Sequence, residues 1–170
     1  GDILFQSPLF EAVQKIYPGS ELHIWTKNRA KGVIAGYQYF KKNYIFDEIR
    51  TRRFDEDVKF DLSNKIKFFK ELRKENYDII FDITGLFWTA FAVFYSKPKY
   101  SAGFNYQGFD FIYNFASQAV TNGHLIDRHL NLITKNFVFS KFNNETIIDH
   151  QPKFYIPAAS KDNIDKISIS

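Results

Sequence analysis

In the run Leu72-Arg73-Lys74-Glu75-Asn76-Tyr77-Asp78-Ile79-Ile80-Phe81-Asp82-Ile83-Thr84-Gly85, a helix ends, a strand crosses the core and a glycine turn follows. Leu62, Ile66, Phe69 and Leu72 recur at helical spacing and place a helix that stops near Asn76. The apolar, β-rich stretch 77–82 suits a central strand of a parallel sheet, buried on both faces. Residues 86–95 read as the next helix, closed by Lys97-Pro98.

The same alternation extends outward. Leu9, Val13, Ile16 and Tyr17 mark an amphipathic helix that Pro18-Gly19 ends. Its start has two readings: Ser7-Pro8 as cap and first residue, or Asp2 with Pro8 in the second turn. Residues 21–25 alternate as a strand, 28–35 form a short helix stopped by Gly36, and 47–50 a short strand. A further strand is expected at 100–104 and a last one at 153–156, with a helix striped by Ile126, Leu130, Ile133 and Phe137 between them. Strands alternating with helices of this length predict an α/β domain: a Rossmann-like open parallel sheet with flanking helices. The domain is expected over 1–156, with 157–170 as the start of a polar linker.

The opening Gly1-Asp2-Ile3-Leu4 reads as the loop after a first strand, which is expected upstream of Gly1. Loops at the carboxyl ends of strands hold the chemistry of such folds.

Composition narrows the classes. The chain has 170 residues, 45% hydrophobic and 25% charged, as in a soluble globular domain. There is no Cys, which excludes disulfides and thiolate chemistry and is compatible with a reducing cytoplasm. A net charge of +4 leans toward anionic partners, or is simply a solvated basic surface. The 20 Phe and 10 Tyr, with abundant Asn, Ile and Lys, are read as the mark of an AT-rich genome rather than as a ligand surface. The longest apolar stretch, 83–95, is well short of the ~20 residues a spanning helix needs.

Four places can carry chemistry. Asp2 is either a carboxylate favoured by a helix dipole or a general base at a strand end. Asp82 and Gly85 follow the strongest strand, where a ligand or a tight turn explains them equally. Arg52 and Arg53 offer guanidinium forks for phosphate or carboxylate, while Asp55, Glu56 and Asp57 beside them also suit an ion-paired surface. His124 and Arg128 share a helix face roughly opposite the apolar stripe, toward solvent or a cleft. No Gly-Lys-Thr phosphate loop, Gly-x-Gly-x-x-Gly fingerprint, Gly-x-Ser-x-Gly elbow or Cys/His metal spacing is present. Aromatic and basic residues do not interleave as nucleic-acid stacking requires.

Several pieces, in order, resemble the amino-terminal half of glycosyltransferase family 9, which contains the ADP-heptose–lipopolysaccharide heptosyltransferases. They are Gly1-Asp2-Ile3-Leu4-Phe5-Gln6-Ser7-Pro8-Leu9, Tyr17-Pro18-Gly19-Ser20-Glu21-Leu22, the run from Leu72 to Gly85, Ser101-Ala102-Gly103-Phe104, and His124-Leu125-Ile126-Asp127-Arg128. The resemblance implies the N-terminal, acceptor-binding domain of a two-domain GT-B fold, with the donor-binding half expected in a further domain. It implies an inverting transfer of heptose from ADP-heptose to the lipopolysaccharide inner core, with no metal or other cofactor. Asp2 would be the base, Asp82 and Gly85 would line the cleft, and Arg52, Arg53 and Arg128 would face the acceptor. The implied partners are a lipid-linked oligosaccharide acceptor and a nucleotide-sugar donor. A cytoplasmic location follows, with peripheral contact at the anionic inner face of the membrane. A truncated, non-catalytic glycolipid- or nucleotide-binding α/β module is the alternative.

Overall fold

The computed structural model describes residues 2–45, 62–118, 124–134 and 149–155. They fall in two compact units, Gly1–Val58 with Ile147–Ser170, and Lys59–Thr146.

The first unit contains helix α1 (Asp2–Ile16), strand β1 (Leu22–Thr26), a 3-10 turn (Asn28–Ala30), helix α2 (Lys31–Ile34) and strand β2 (Phe40–Ile45). β1 and β2 pair in parallel, Leu22 opposite Phe40 and Thr26 opposite Ile45. Of the two readings of the first helix, the structure takes the one that starts at Asp2, with Pro8 inside. Proline has no N–H to give the carbonyl one turn back. The Ser7 hydroxyl, fully buried, fills that vacancy by donating to the Leu4 carbonyl at 2.8 Å. The same oxygen accepts the Lys153 amide at 2.8 Å. The expected strand at 153–156 is therefore not a ladder in its described part: residues 153–155 are irregular, and their first amide goes to a serine side chain. Tyr37 donates its hydroxyl to the Lys153 carbonyl. A Cβ on Gly36 would stand 1.8 Å from the Tyr155 carbonyl oxygen, so this crossing requires glycine.

The strand expected at 47–50 lies outside the described residues. β2 itself was not foreseen, because Lys41, Lys42 and Asn43 are all exposed and hide the alternation on which a strand reading depends.

The second unit runs α3 (Leu62–Lys74), β3 (Ile79–Asp82), α4 (Phe87–Ser96), β4 (Tyr100–Asn105), a 3-10 turn (Asp110–Ile112), β5 (Phe115–Gln118) and α5 (Leu125–Thr134). The three strands form a parallel sheet in the order β3-β4-β5. Among the described residues β4 has a strand on each side, and its residues Ser101, Ala102, Gly103 and Phe104 are all buried. Side chains alternate between the two faces. Ile80 packs with Ala90 and Val93 of α4, and Phe81 with Phe104, Ala102 and Leu132 of α5. The small buried residues Ala90, Ala92 and Ser96 let α4 approach the sheet.

Candidate functional site

The loop at the carboxyl end of β3 is organised by one carboxylate. Asp82 is 5% exposed. Its Oδ1 accepts the Thr84 amide at 3.0 Å, the Thr84 hydroxyl at 2.9 Å and the Gly85 amide at 2.9 Å. Its Oδ2 accepts the Tyr113 hydroxyl at 2.7 Å. Both oxygens thus have partners within the protein, Oδ1 in the turn and Oδ2 on Tyr113. The Tyr113 phenol is held well above its ordinary value, first by burial, then by the neighbouring Asp82 charge and the hydrogen bond to it.

Tyr113 reaches Asp82 because Gly103 has no side chain. Gly103 lies opposite Asp82 in the β3–β4 register. A Cβ there would come within 2.5 Å of the Tyr113 ring. Gly85 makes the second close approach: its φ is +58°, and a Cβ would stand 2.2 Å from the Phe104 carbonyl oxygen. The start of α4 is closed in turn, since the Phe87 amide donates to Gln107 Oε1 at 3.0 Å and the Leu86 amide to Thr89 Oγ1 at 3.1 Å.

The end of β4 carries polar groups still to be met. Arg128, from α5, donates through Nη2 to the Tyr106 hydroxyl, with its guanidinium carbon 5.8 Å from the Tyr106 ring centre. Among the described residues, the buried Nε of Arg128 and the buried Oδ1 of Asn105 have no hydrogen-bond partner. A buried polar atom left unmet is costly. Arg128 Nε is a donor and Asn105 Oδ1 an acceptor, both from the carboxyl-end side of β4.

The sequence model of glycosyltransferase family 9 (heptosyltransferase) matches residues 65–164, more than half of the chain. The chain belongs to glycosyltransferase family 9. No curated protein matches it. Among solved structures, the fold is similar to ADP-heptose lipopolysaccharide heptosyltransferase II of E. coli, with a TM-score of 0.70 at 13% identity, over 100% of this chain and 48% of that one. It is also similar to the E. coli heptosyltransferase WaaC solved with ADP-2-deoxy-2-fluoro heptose (TM-score 0.63, 20% identity, 88% of this chain and 48% of that one). A family 9 glycosyl transferase from Veillonella parvula gives 0.63 at 16% identity, over 88% and 41%. The chain spans about half the length of these structures. The α/β fold with parallel open sheets is that of the GT-B heptosyltransferases.

Within the family 9 chain, the expected site residues fall in different places. Asp82, Gly85 and Arg128 lie in the second unit, Asp82 and Gly85 shaping the β3–α4 turn and Arg128 bound to Tyr106. Asp2 is the first residue of α1, in the first unit. Arg52 and Arg53 lie outside the described residues. His124 is exposed, and its ring nitrogen Nδ1 accepts the Ile126 amide at 3.3 Å, capping α5 rather than facing a ligand through that atom. Tyr113, Asn105 and Tyr106 were missed. No local pattern marks Tyr113, 31 residues from its partner; only the register that sets Gly103 against Asp82 points to it.

Proposed function

We propose that this chain is the acceptor-binding half of an inverting glycosyltransferase that moves heptose from ADP-heptose to the lipopolysaccharide inner core. The observation that carries the reading is the family 9 match over residues 65–164.

In this mechanism the Asp2 carboxylate takes the proton of the acceptor hydroxyl. The oxygen then attacks the anomeric carbon of the donor as the bond to ADP breaks on the opposite face, inverting the configuration. Base catalysis of this kind contributes roughly 10²–10⁴-fold, and fixed geometry the rest. Asp82 and Gly85 act as positioning residues, setting the turn that borders the acceptor. Arg128, with Asn105 and Tyr106, holds acceptor hydroxyl or acidic groups. Arg52 and Arg53 add charge for inner-core phosphate or carboxylate. No metal or other cofactor takes part. The lipid-linked acceptor places the enzyme at the inner face of the cytoplasmic membrane, in peripheral contact with anionic lipid.

The test is transfer from ADP-heptose to a lipid-linked inner-core acceptor by the protein expressed from its complete gene, reading ADP release and the anomeric configuration of the product. Turnover with inversion supports the reading. Acceptor binding without turnover assigns a glycolipid-binding module instead.

A further inference from the structure

The second unit exposes an unusual run of apolar side chains. Helix α4 contains no charged residue. Its Phe87, Phe91 and Phe94, at i, i+4 and i+7, are 48%, 36% and 58% exposed. With Phe109, Phe111 and Ile112 they line an open groove of about 200 Å³, and Phe111 is 79% exposed. Helix α3 continues this surface. Leu62, Ile66, Phe69 and Arg73 share one of its faces by their spacing. That face is the α4 side: the Phe69 ring centre is 5.4 Å from that of Phe91, and the Arg73 guanidinium carbon 5.6 Å from the Tyr95 ring centre. Leu62 and Ile66 are exposed too. Large apolar side chains gathered on adjacent elements mark a contact surface, unlike scattered ones.

The charge beside this surface is mostly positive, with Glu71 of α3 and Asp110 of the 3-10 turn as exposed acids. Lys67, Lys70, Arg73 and Lys74 of α3 are exposed, with Glu71 the sole acid of that helix. Lys97, also exposed, closes α4. An apolar aromatic stripe rimmed by cations is complementary to an anionic bilayer surface, whose headgroups take the cations while the rings enter the acyl boundary. A second copy packed through the same face would set the lysines of the two α3 helices against one another. None of the described helices is long and apolar enough to cross a membrane.

We infer that the α3–α4 face, extended by Phe109 and Phe111, docks on anionic lipid bilayers. The aromatic rings and Leu62 and Ile66 enter the interface, and the lysines and Arg73 of α3 lie among the headgroups. This deepens the membrane contact proposed above. It rests on that reading for its place in the reaction, though not for the binding itself.

The test is co-flotation of the purified full-length protein with vesicles of phosphatidylcholine alone and of phosphatidylcholine with phosphatidylglycerol. The expected result is binding to the mixed vesicles, reduced roughly tenfold or more by Phe94→Asp with Phe111→Asp, since two buried rings are lost. Lys70→Glu with Lys74→Glu should remove the preference for phosphatidylglycerol. Both pairs of positions are exposed, and circular dichroism melts matching wild type establish that the variants fold. Absence of vesicle binding by wild type, or equal binding by the aspartate variant, overturns the assignment. So does a concentration-dependent dimer abolished by the aspartate variant without any vesicle binding. Transfer to a delipidated, soluble acceptor is measured in parallel. Its failure counts against the proposed reaction and leaves the vesicle result standing.

Discussion

Tyr113 donates its hydroxyl to Oδ2 of Asp82 at 2.7 Å, across the gap left by Gly103. This one bond joins the segment before β5 to the loop after β3, and it completes the set of donors around a buried carboxylate. The β3–α4 turn holds its shape through that set.

Tyr113→Phe should cost about 1–3 kcal/mol at neutral pH, because a buried carboxylate oxygen loses its partner. The phenol is pushed above its ordinary value of 10.0, mainly by burial. A raised folded-state value means that the contribution is complete below pH of about 10 and is lost as the pH climbs beyond it. Urea unfolding from pH 7 to 11 should show the wild type losing stability above pH 10 more steeply than the variant. Parallel curves would dismiss the coupling.

Gly85→Ala should destabilise by about 2 kcal/mol or more, from strain at positive φ and from contact with backbone. The Phe104 carbonyl oxygen, 2.2 Å from the added carbon, belongs to β4, which is paired on both sides and has little room to yield. Denaturant midpoints decide it, and an unchanged midpoint would mean that the turn relaxes.

Ser7→Ala should leave two groups unmet, the Leu4 carbonyl that Pro8 cannot serve and the Lys153 amide. A loss of about 1–3 kcal/mol is expected. Hydrogen exchange at the Lys153 amide should rise as well. Ser7→Thr, which keeps the hydroxyl, should retain part of the protection.

Asp2→Asn should lower kcat by roughly 10²-fold or more while leaving donor affinity and the melting temperature close to wild type. Turnover at the wild-type rate would remove Asp2 from the role of base.

Arg128→Ala should raise the acceptor KM by about tenfold, the worth of one charge-assisted hydrogen bond, with a small effect on donor KM. Tyr106→Phe should have a lesser effect in the same direction, because it removes one neutral hydroxyl from the site and loosens the arginine. A change confined to donor KM would move Arg128 out of the acceptor site.

Much of the scaffold was legible in the residues. The periodicity of Leu62, Ile66, Phe69 and Leu72 and the run into Asp82 placed α3, β3 and the turn before α4. Ser101-Ala102-Gly103-Phe104 was visible as a strand, though not as one paired on both sides. β5 and β2 escaped notice: Phe115-Ala116-Ser117-Gln118 is short, and β2 exposes three polar residues in succession. At the site, Asp82 and Gly85 were picked out by position alone. That both carboxylate oxygens have partners within the protein depended on a tyrosine distant in the chain.

The alternation of strands and helices is written in the residue order, because burying one face of each element imposes a period that can be read residue by residue. Its ordered motifs also carried the resemblance to family 9. Tertiary contacts set which strands pair and in what register, which glycines make room for distant groups, and where the Phe residues gather. These follow from pairing and register between segments far apart in the chain, and local spacing holds no record of them. Thus the aromatic excess, uninformative as composition, became a surface only when α3, α4 and the Asp110–Ile112 turn were brought together.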